Sequence, residues 1–252
     1  MSLRAIGGEL RWLLDPTDPL RHHNRRLARA FVARQRAAVV AATRLIPTEG
    51  HLLKVQAQFL HQLMLRQPWV REVAEVGFNA GHSSYVFLAS RPDVRVTSFD
   101  LGEHQYIDLA KSVIDDAFPG RHQLVTGDSR LTVPAWTEAS TDRRFDLIYI
   151  DGGHDVDVAR ADIDNCRLLA TDRTIVVMDD LERRNPWGIG PVRAWLDAQH
   201  DGVIRQDVLI DDGFPVIDTP LEGLEEVGRV WALGHYLRPG PAPRRGRSAR
   251  TQ

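Results

Sequence analysis

Two short apolar runs, each ending in aspartate, constrain this 252-residue chain more than any other feature. The first is Phe145-Asp146-Leu147-Ile148-Tyr149-Ile150-Asp151-Gly152-Gly153-His154; the second is Thr174-Ile175-Val176-Val177-Met178-Asp179-Asp180. Both are short, rich in strand-forming residues, and stop at an acid. Residues 156–170, between them, have helical character. A strand, a crossover helix and a second strand form a unit whose strands run parallel. Neighbouring strands lie about 5 Å apart, so Asp151 and the pair Asp179 and Asp180 are predicted at one sheet edge. In open α/β sheets that carboxyl edge is where ligands bind. Three carboxylates there repel one another unless a cation or a proton intervenes.

The rest of the chain extends the alternation. Strands are predicted over residues 70–76, 94–99 and 123–126, ending at Gly77, Asp100 and Gly127-Asp128. Helices are predicted over 83–90, 105–118 and 190–199, while 203–210 and 226–233 read as a terminal antiparallel hairpin. This order predicts a doubly wound α/β sheet. Two helices precede it, one over 20–45 closed by Pro47 and one over 49–66. The second has Leu52, Val55, Phe59, Leu60 and Leu63 on one face and Thr48 as a cap. They are expected to form a cap or an oligomer surface. The expected division is an N-terminal helical segment over 1–66, a sheet domain over 67–237 and a disordered basic tail over 238–252.

Composition excludes several classes. A net charge of −2 gives no global signature for nucleic acid. No apolar run approaches the roughly 18 residues of a membrane span. Glu9, Arg11 and Asp15 interrupt any signal-peptide pattern, so the expected location is the cytoplasm. The single cysteine, Cys166, reads as a small core residue. Lysine occurs only at Lys54 and Lys111, which leaves almost none to act as a base.

The first strand–turn–helix reads Glu75-Val76-Gly77-Phe78-Asn79-Ala80-Gly81-His82-Ser83-Ser84. The dinucleotide fingerprint would be G-x-G-x-x-G, whereas this is E-x-G-x-x-x-G. An acid two residues before the first glycine disfavours a pyrophosphate and suits a ligand with positive charge. Asp100, which ends the second strand, stands where a carboxylate accepts from ribose hydroxyls. Asp128, at the end of the third, suits an adenine amino group. His82 and Ser83 open the following helix and suit a carboxylate through the helix dipole. The alternative for Ser83 or Ser84 is a cap alone.

On these residues, the chain from about 49 to 233 resembles class I S-adenosylmethionine-dependent methyltransferases. The resemblance implies a Rossmann-like seven-stranded sheet whose last-but-one position holds an antiparallel strand. It implies S-adenosylmethionine as cofactor, held by Glu75, Gly77, Asn79, Gly81, His82, Ser83, Asp100, Asp128, Ser129 and Asp151. Within the family, Asp151, Asp179 and Asp180 look like the Mg²⁺ site of cation-dependent O-methyltransferases. The catechol and caffeoyl-CoA types share the layout, and the macrocin-type and mycinamicin-type sugar O-methyltransferases look closer. The latter place a histidine three residues after the first aspartate, here His154, and the stretch holding Gln56 and Gln58 is similar to their leading helix. Catechol-type enzymes use a lysine as base, and none lies near Asp151. His154 with Asp151 is therefore the expected catalytic pair, with Asp155 or Asp157 as alternative bases. Trp187, in the loop over 181–190, either stacks on the acceptor or packs at the surface.

The resulting expectation is a Mg²⁺-dependent O-methyltransferase for a small molecule, a sugar or natural-product intermediate. Neither nucleic acid nor membrane is expected as a partner, and the N-terminal helices are the candidate homo-oligomer surface. Two alternatives stand: a metal-independent methyltransferase whose Asp179 and Asp180 shape the acceptor pocket, and a nucleotide-binding α/β protein without methyl transfer.

Overall fold

The computed structural model describes residues 52–140 and 143–237. The expected helix over 20–45, the Thr48 cap and the tail over 238–252 lie outside the described residues. In chain order the elements are α1 (Lys54–Arg66), β1 (Glu72–Val76), α2 (His82–Ser90), β2 (Arg95–Asp100), α3 (Ile107–Ala117) and β3 (His122–Thr126). There follow α4 (Ser129–Ala139), β4 (Phe145–Ile150), α5 (Val156–Cys166), β5 (Ala170–Met178), α6 (Ile189–His200), β6 (Ile204–Asp211), β7 (Phe214–Val216) and β8 (Val230–Tyr236).

The strands form one sheet of order β3-β2-β1-β4-β5-β8-β6-β7. β1 to β5 pair in parallel, and β8 inserts antiparallel between β5 and β6. The expected doubly wound sheet is therefore present, with eight strands where seven were expected. The additional one is β7, a three-residue edge strand folded back on β6. Its Pro215 suits an edge, where a missing N–H costs no ladder bond.

The central strands β4 and β5 are mostly apolar along their buried stretches because both faces are covered. On one face Val73, Leu147, Tyr149, Val177 and Leu233 pack with α1, α2 and α3. On the other, Ala74, Ile148, Ile150, Val176 and Met178 pack with α4, α5 and α6. Trp195 and Trp231 are among the largest fully buried side chains. Each such burial contributes on the order of 2–3 kcal/mol. Cys166 is fully buried, as expected of a core residue.

Several elements differ from the sequence expectation, including β8, which spans Val230–Tyr236 against an expected 226–233. Helix α4 was not foreseen, because Pro134 in its interior reads as a breaker. Asp128 caps that helix by accepting from the Arg130 N–H at 2.9 Å. The Arg130 carbonyl, deprived of its helical donor by Pro134, has the Asn165 amide at 3.5 Å. The crossover helix ends at Cys166, not at 170, and β5 starts four residues before the expected strand, at Ala170. A register irregularity between Phe145 and Leu147 absorbs the added length.

Candidate active site

Residues just beyond the strand ends are held in place by the sheet itself. The Gly77 N–H donates to the Phe99 carbonyl, Gly127 to Asp100, Asp151 to Val76 and Asp179 to Ile150, all within 2.8–3.0 Å. Register pairs Ile150 with Met178, so the next residues, Asp151 and Asp179, face each other across the edge. A cavity of about 600 Å³ opens there. Gly77, Asn79, His82, Ser83, Asp100, Asp128, Ser129, Asp151, His154, Asp179 and Asp180 all line it, as do Asp155 and Val158.

The glycine loop enters the cavity by close backbone approach. Gly77 has φ +92°, and a Cβ there would lie 1.8 Å from the Asp151 carbonyl oxygen. Asp100 fixes this loop: its Oδ2 accepts from the N–H groups of Phe78 and Asn79 at 2.8 Å each, and its Oδ1 from Gly102 at 2.8 Å. A carboxylate oxygen accepts more than one bond, so Asp100 keeps capacity toward the cavity. Asp128 is paired with the Arg130 guanidinium, at 2.6 Å for the Nη2 contact, which holds its carboxyl below the usual range.

Glu75 and Gly81 are not among the cavity-lining residues. Glu75 is the penultimate residue of β1, and side chains alternate between sheet faces. Its carboxylate therefore turns under α2, fully buried, and accepts from the hydroxyls of Ser83, Ser84 and Ser98. Burial pushes its pKa up to about 7 despite those three donors. Ser83 and Ser84 accordingly spend their hydroxyls on Glu75, and neither caps α2 through its side chain.

The acidic edge is built from three aspartates with unequal partners. Asp179 is buried; its two oxygens accept from Gln56 Nε2, at 2.9 and 2.8 Å, and it also accepts from the Asp180 N–H at 2.8 Å and from the Tyr149 hydroxyl. Asp180 has φ +56°; its Oδ1 accepts from Arg229 at 2.8 Å and its Oδ2 lies 2.9 Å from His154 Nε2. Asp151 has one long contact, the Tyr149 hydroxyl at 3.3 Å. Burial, then the charges of Asp179 and Asp180, hold the Asp151 carboxyl well above the usual carboxylate range. Asp179 shifts the same way, by burial and then by the charge of Asp180. His154 is raised above the ordinary histidine value, chiefly by its hydrogen bond to Asp180.

Residues 74–181 match a family model described as a methyltransferase domain. Among solved structures, an O-methyltransferase from Bacillus cereus in complex with S-adenosylhomocysteine is similar at 18% identity and TM-score 0.62. That likeness covers 90% of this chain and 94% of that one. TomG from Streptomyces achromogenes, an O-methyltransferase of tomaymycin synthesis solved with S-adenosylmethionine, gives 18% identity and TM-score 0.55, over 81% of this chain and 88% of that one. Residues 74–181 thus match a methyltransferase domain, and the described chain has the fold of these O-methyltransferases. CalS11, a TDP-rhamnose 3'-O-methyltransferase of calicheamicin biosynthesis, has the fold at 20% identity and TM-score 0.50, over 81% of this chain and 92% of that one. No curated protein matches the chain.

The cavity has features that could hold S-adenosylmethionine. The backbone at Gly77 leaves no room for a side chain, His82 and Ser83 open a helix whose N–H groups favour a carboxylate, and Asp100 faces the cavity with lone pairs to spare. The three aspartates fit a divalent cation less well. Among the described residues, no three His, Cys, Asp or Glu side chains converge to hold a metal ion. Their oxygen chemistry is right for Mg²⁺. However, Asp180 is already paired with the Arg229 guanidinium at 2.8 Å, a fixed positive charge that opposes a second cation there.

Three side chains that bond the site's aspartates have no place in the sequence pattern. Arg130 stands two residues after Asp128, a spacing that suits a local ion pair. Tyr149 carries a hydroxyl two residues before Asp151, on the same pleat. Arg229 is 49 residues from Asp180 and had no local signal. Gln56 had entered only through resemblance. Trp187, half exposed, donates to Glu182 at 3.3 Å, so its indole is anchored at the loop. Among the described residues, no helix is long and apolar enough to cross a membrane.

Proposed function

We propose that this methyltransferase moves a methyl group from S-adenosylmethionine to a hydroxyl oxygen of a polar small molecule, a sugar or natural-product intermediate. The observation that carries the reading is His154, bound through Nε2 to Asp180 at 2.9 Å beside Asp151 on the cavity wall. A neutral ring that donates from Nε2 carries its lone pair on Nδ1. His154 would take the hydroxyl proton there, a step typically worth 10²–10⁴ in rate. Bound S-adenosylmethionine supplies the electrophilic methyl group. The chain supplies position: the Gly77 turn, Asp100 and the start of α2 on the cofactor side, and Asp151, Asp179 and Gln56 on the acceptor side. The acid and amide side chains on the lining support a hydroxylated acceptor, and the TDP-rhamnose and tomaymycin-synthesis O-methyltransferases that share the fold support the same class.

A Mg²⁺-bound form is the second reading, favoured by the sparse partnering of Asp151. It would require Asp180 to leave Arg229 and His154, so the cation-free form is preferred here. The cytoplasm as location and self-association through the N-terminal helices belong to the same proposal, and sedimentation of the full chain tests the latter.

Two experiments test the core of the reading. In a thermal-shift comparison, S-adenosylhomocysteine should stabilise the protein and NAD should not; stabilisation by NAD alone would sink the reading. Labelled S-adenosylmethionine, incubated with a panel of sugars, nucleotide sugars and catechols, should yield an O-methyl product. EDTA in that assay separates the two forms: retained transfer supports the cation-free one, abolished transfer the Mg²⁺ one.

A further inference from the structure

Arg229 is the cation already built into the acidic edge. It lines the cavity, with about a quarter of its side chain exposed, and its Nη1 lies 2.8 Å from Asp180 Oδ1 and 3.2 Å from Glu182 Oε2. Topology fixes it there. β8 runs antiparallel beside β5, so the Leu181 N–H meets the Val230 carbonyl at 2.9 Å and the Asp212 N–H meets the Arg229 carbonyl at 2.9 Å. Residue 229 is thus bracketed between the ends of two strands before its side chain is considered.

The partners of Arg229 are themselves clamped. Glu182 is 1% exposed and also accepts from the Val230 N–H at 3.0 Å and the Trp187 indole at 3.3 Å. Asp180 is held in a left-handed backbone conformation, φ +56°, which is uncommon for a residue other than glycine and aims its carboxylate between Arg229 and His154. Arginine cannot deprotonate in a protein, so this positive charge is permanent. A divalent ion at Asp180 would meet a carboxylate already paired, at 2.8 Å, with a fixed positive charge.

We propose that Arg229 is a positioning residue that takes the role a divalent cation would fill: it neutralises Asp180, holds it against His154, and keeps metal out of the edge formed by Asp151, Asp179 and Asp180. The base is then oriented through a chain from Glu182 through Arg229 and Asp180 to His154, carried entirely by the protein.

The test uses the full-length protein saturated with S-adenosylhomocysteine and titrated with Mn²⁺, free ion being read by electron paramagnetic resonance. The wild-type protein should show no one-to-one site below the millimolar range. Arg229→Met, which keeps the length of the stem but removes the charge, should bind Mn²⁺ at least tenfold more tightly than wild type. Adding Asp151→Asn to that variant should abolish the gain, and Arg229→Lys should resemble wild type. A micromolar Mn²⁺ site in the wild type, lost on Asp151→Asn, would overturn the assignment without any Arg229 variant needing to fold. An Arg229→Met protein that binds S-adenosylhomocysteine but gains no Mn²⁺ affinity would overturn it equally. The role of Arg229 presupposes methyl transfer at this edge, and the S-adenosylhomocysteine affinity recorded in the same samples reports that premise separately.

Discussion

Gly77→Ala is the substitution whose consequence is most sharply set by the geometry. The residue has φ +92°, and the new Cβ would sit 1.8 Å from the Asp151 carbonyl oxygen, 2.7 Å from its carbon and 3.3 Å from Gly152 Cα. All three are backbone atoms, so no side chain can swing away. Gly120 and Gly202 supply the control: their φ values are +70° and +67°, and a Cβ at either meets nothing within 4 Å. Alanine at those positions bears only the left-handed penalty of roughly 1–2 kcal/mol, partly offset by the roughly 0.4–1 kcal/mol that alanine gains by restricting the unfolded chain. Alanine at Gly77 bears the same penalty plus an overpacking cost of about 1–3 kcal/mol, because the ends of β1 and β4 must separate. The sum is on the order of 3 kcal/mol. At about 2–4 °C per kcal/mol for a domain of this size, Tm should fall by roughly 6–12 °C, against a few degrees at most for the controls. The same separation moves Asp151 and the glycine loop, so S-adenosylhomocysteine should bind at least tenfold more weakly by calorimetry, while the controls bind normally. A Gly77→Ala protein with the Tm of Gly120→Ala and an unchanged Kd would refute the claim that close backbone approach builds this cavity.

Other perturbations test the remaining parts of the site. Glu75 should make stability depend on pH, because its folded pKa of about 7 lies above the ordinary 4.5. The folded state then holds the proton more tightly, so this group's contribution is full below pH 4.5 and is lost as pH rises through 7. The loss is on the order of 3 kcal/mol, and Tm profiles of Glu75→Gln between those limits should be flatter than wild type; parallel profiles would reject the assignment. Tyr149→Phe removes a hydroxyl donor from buried Asp179 and should cost about 1–3 kcal/mol in chemical denaturation. No change would mean that the hydroxyl is not needed there. His154→Ala should lower kcat about 10²-fold or more with S-adenosylhomocysteine affinity unchanged, and an unaltered kcat would remove it as base.

Different parts of the molecule were legible to different degrees. The strands ending at Ile150 and Met178 are readable because a parallel strand buried on both faces is a mostly apolar run, and those ending at Val76, Asp100 and Thr126 because a Gly or Asp closes or follows each short run. The positions of Asp100, Asp128, Asp151, Asp179, Asp180 and His154 on one cavity follow from the same rule. Helix α4 was hidden because Pro134 is a local breaker whose cost is absorbed in the fold. Glu75, two residues before the first glycine, is expected to face a positively charged ligand, yet the strand period of two turns it toward α2.

What the sequence determined by itself is the order of βα units and hence which acids reach the carboxyl edge, since both depend on local pattern and on the handedness of parallel connections. What only the tertiary structure decided is how those acids are balanced. Gln56 reaches Asp179 from α1, across 123 residues, and Arg229 reaches Asp180 from the antiparallel β8, across 49. Neither contact has a local signature. Each exists because burying charge requires a partner, and the partner's place is set by packing between elements distant in the chain.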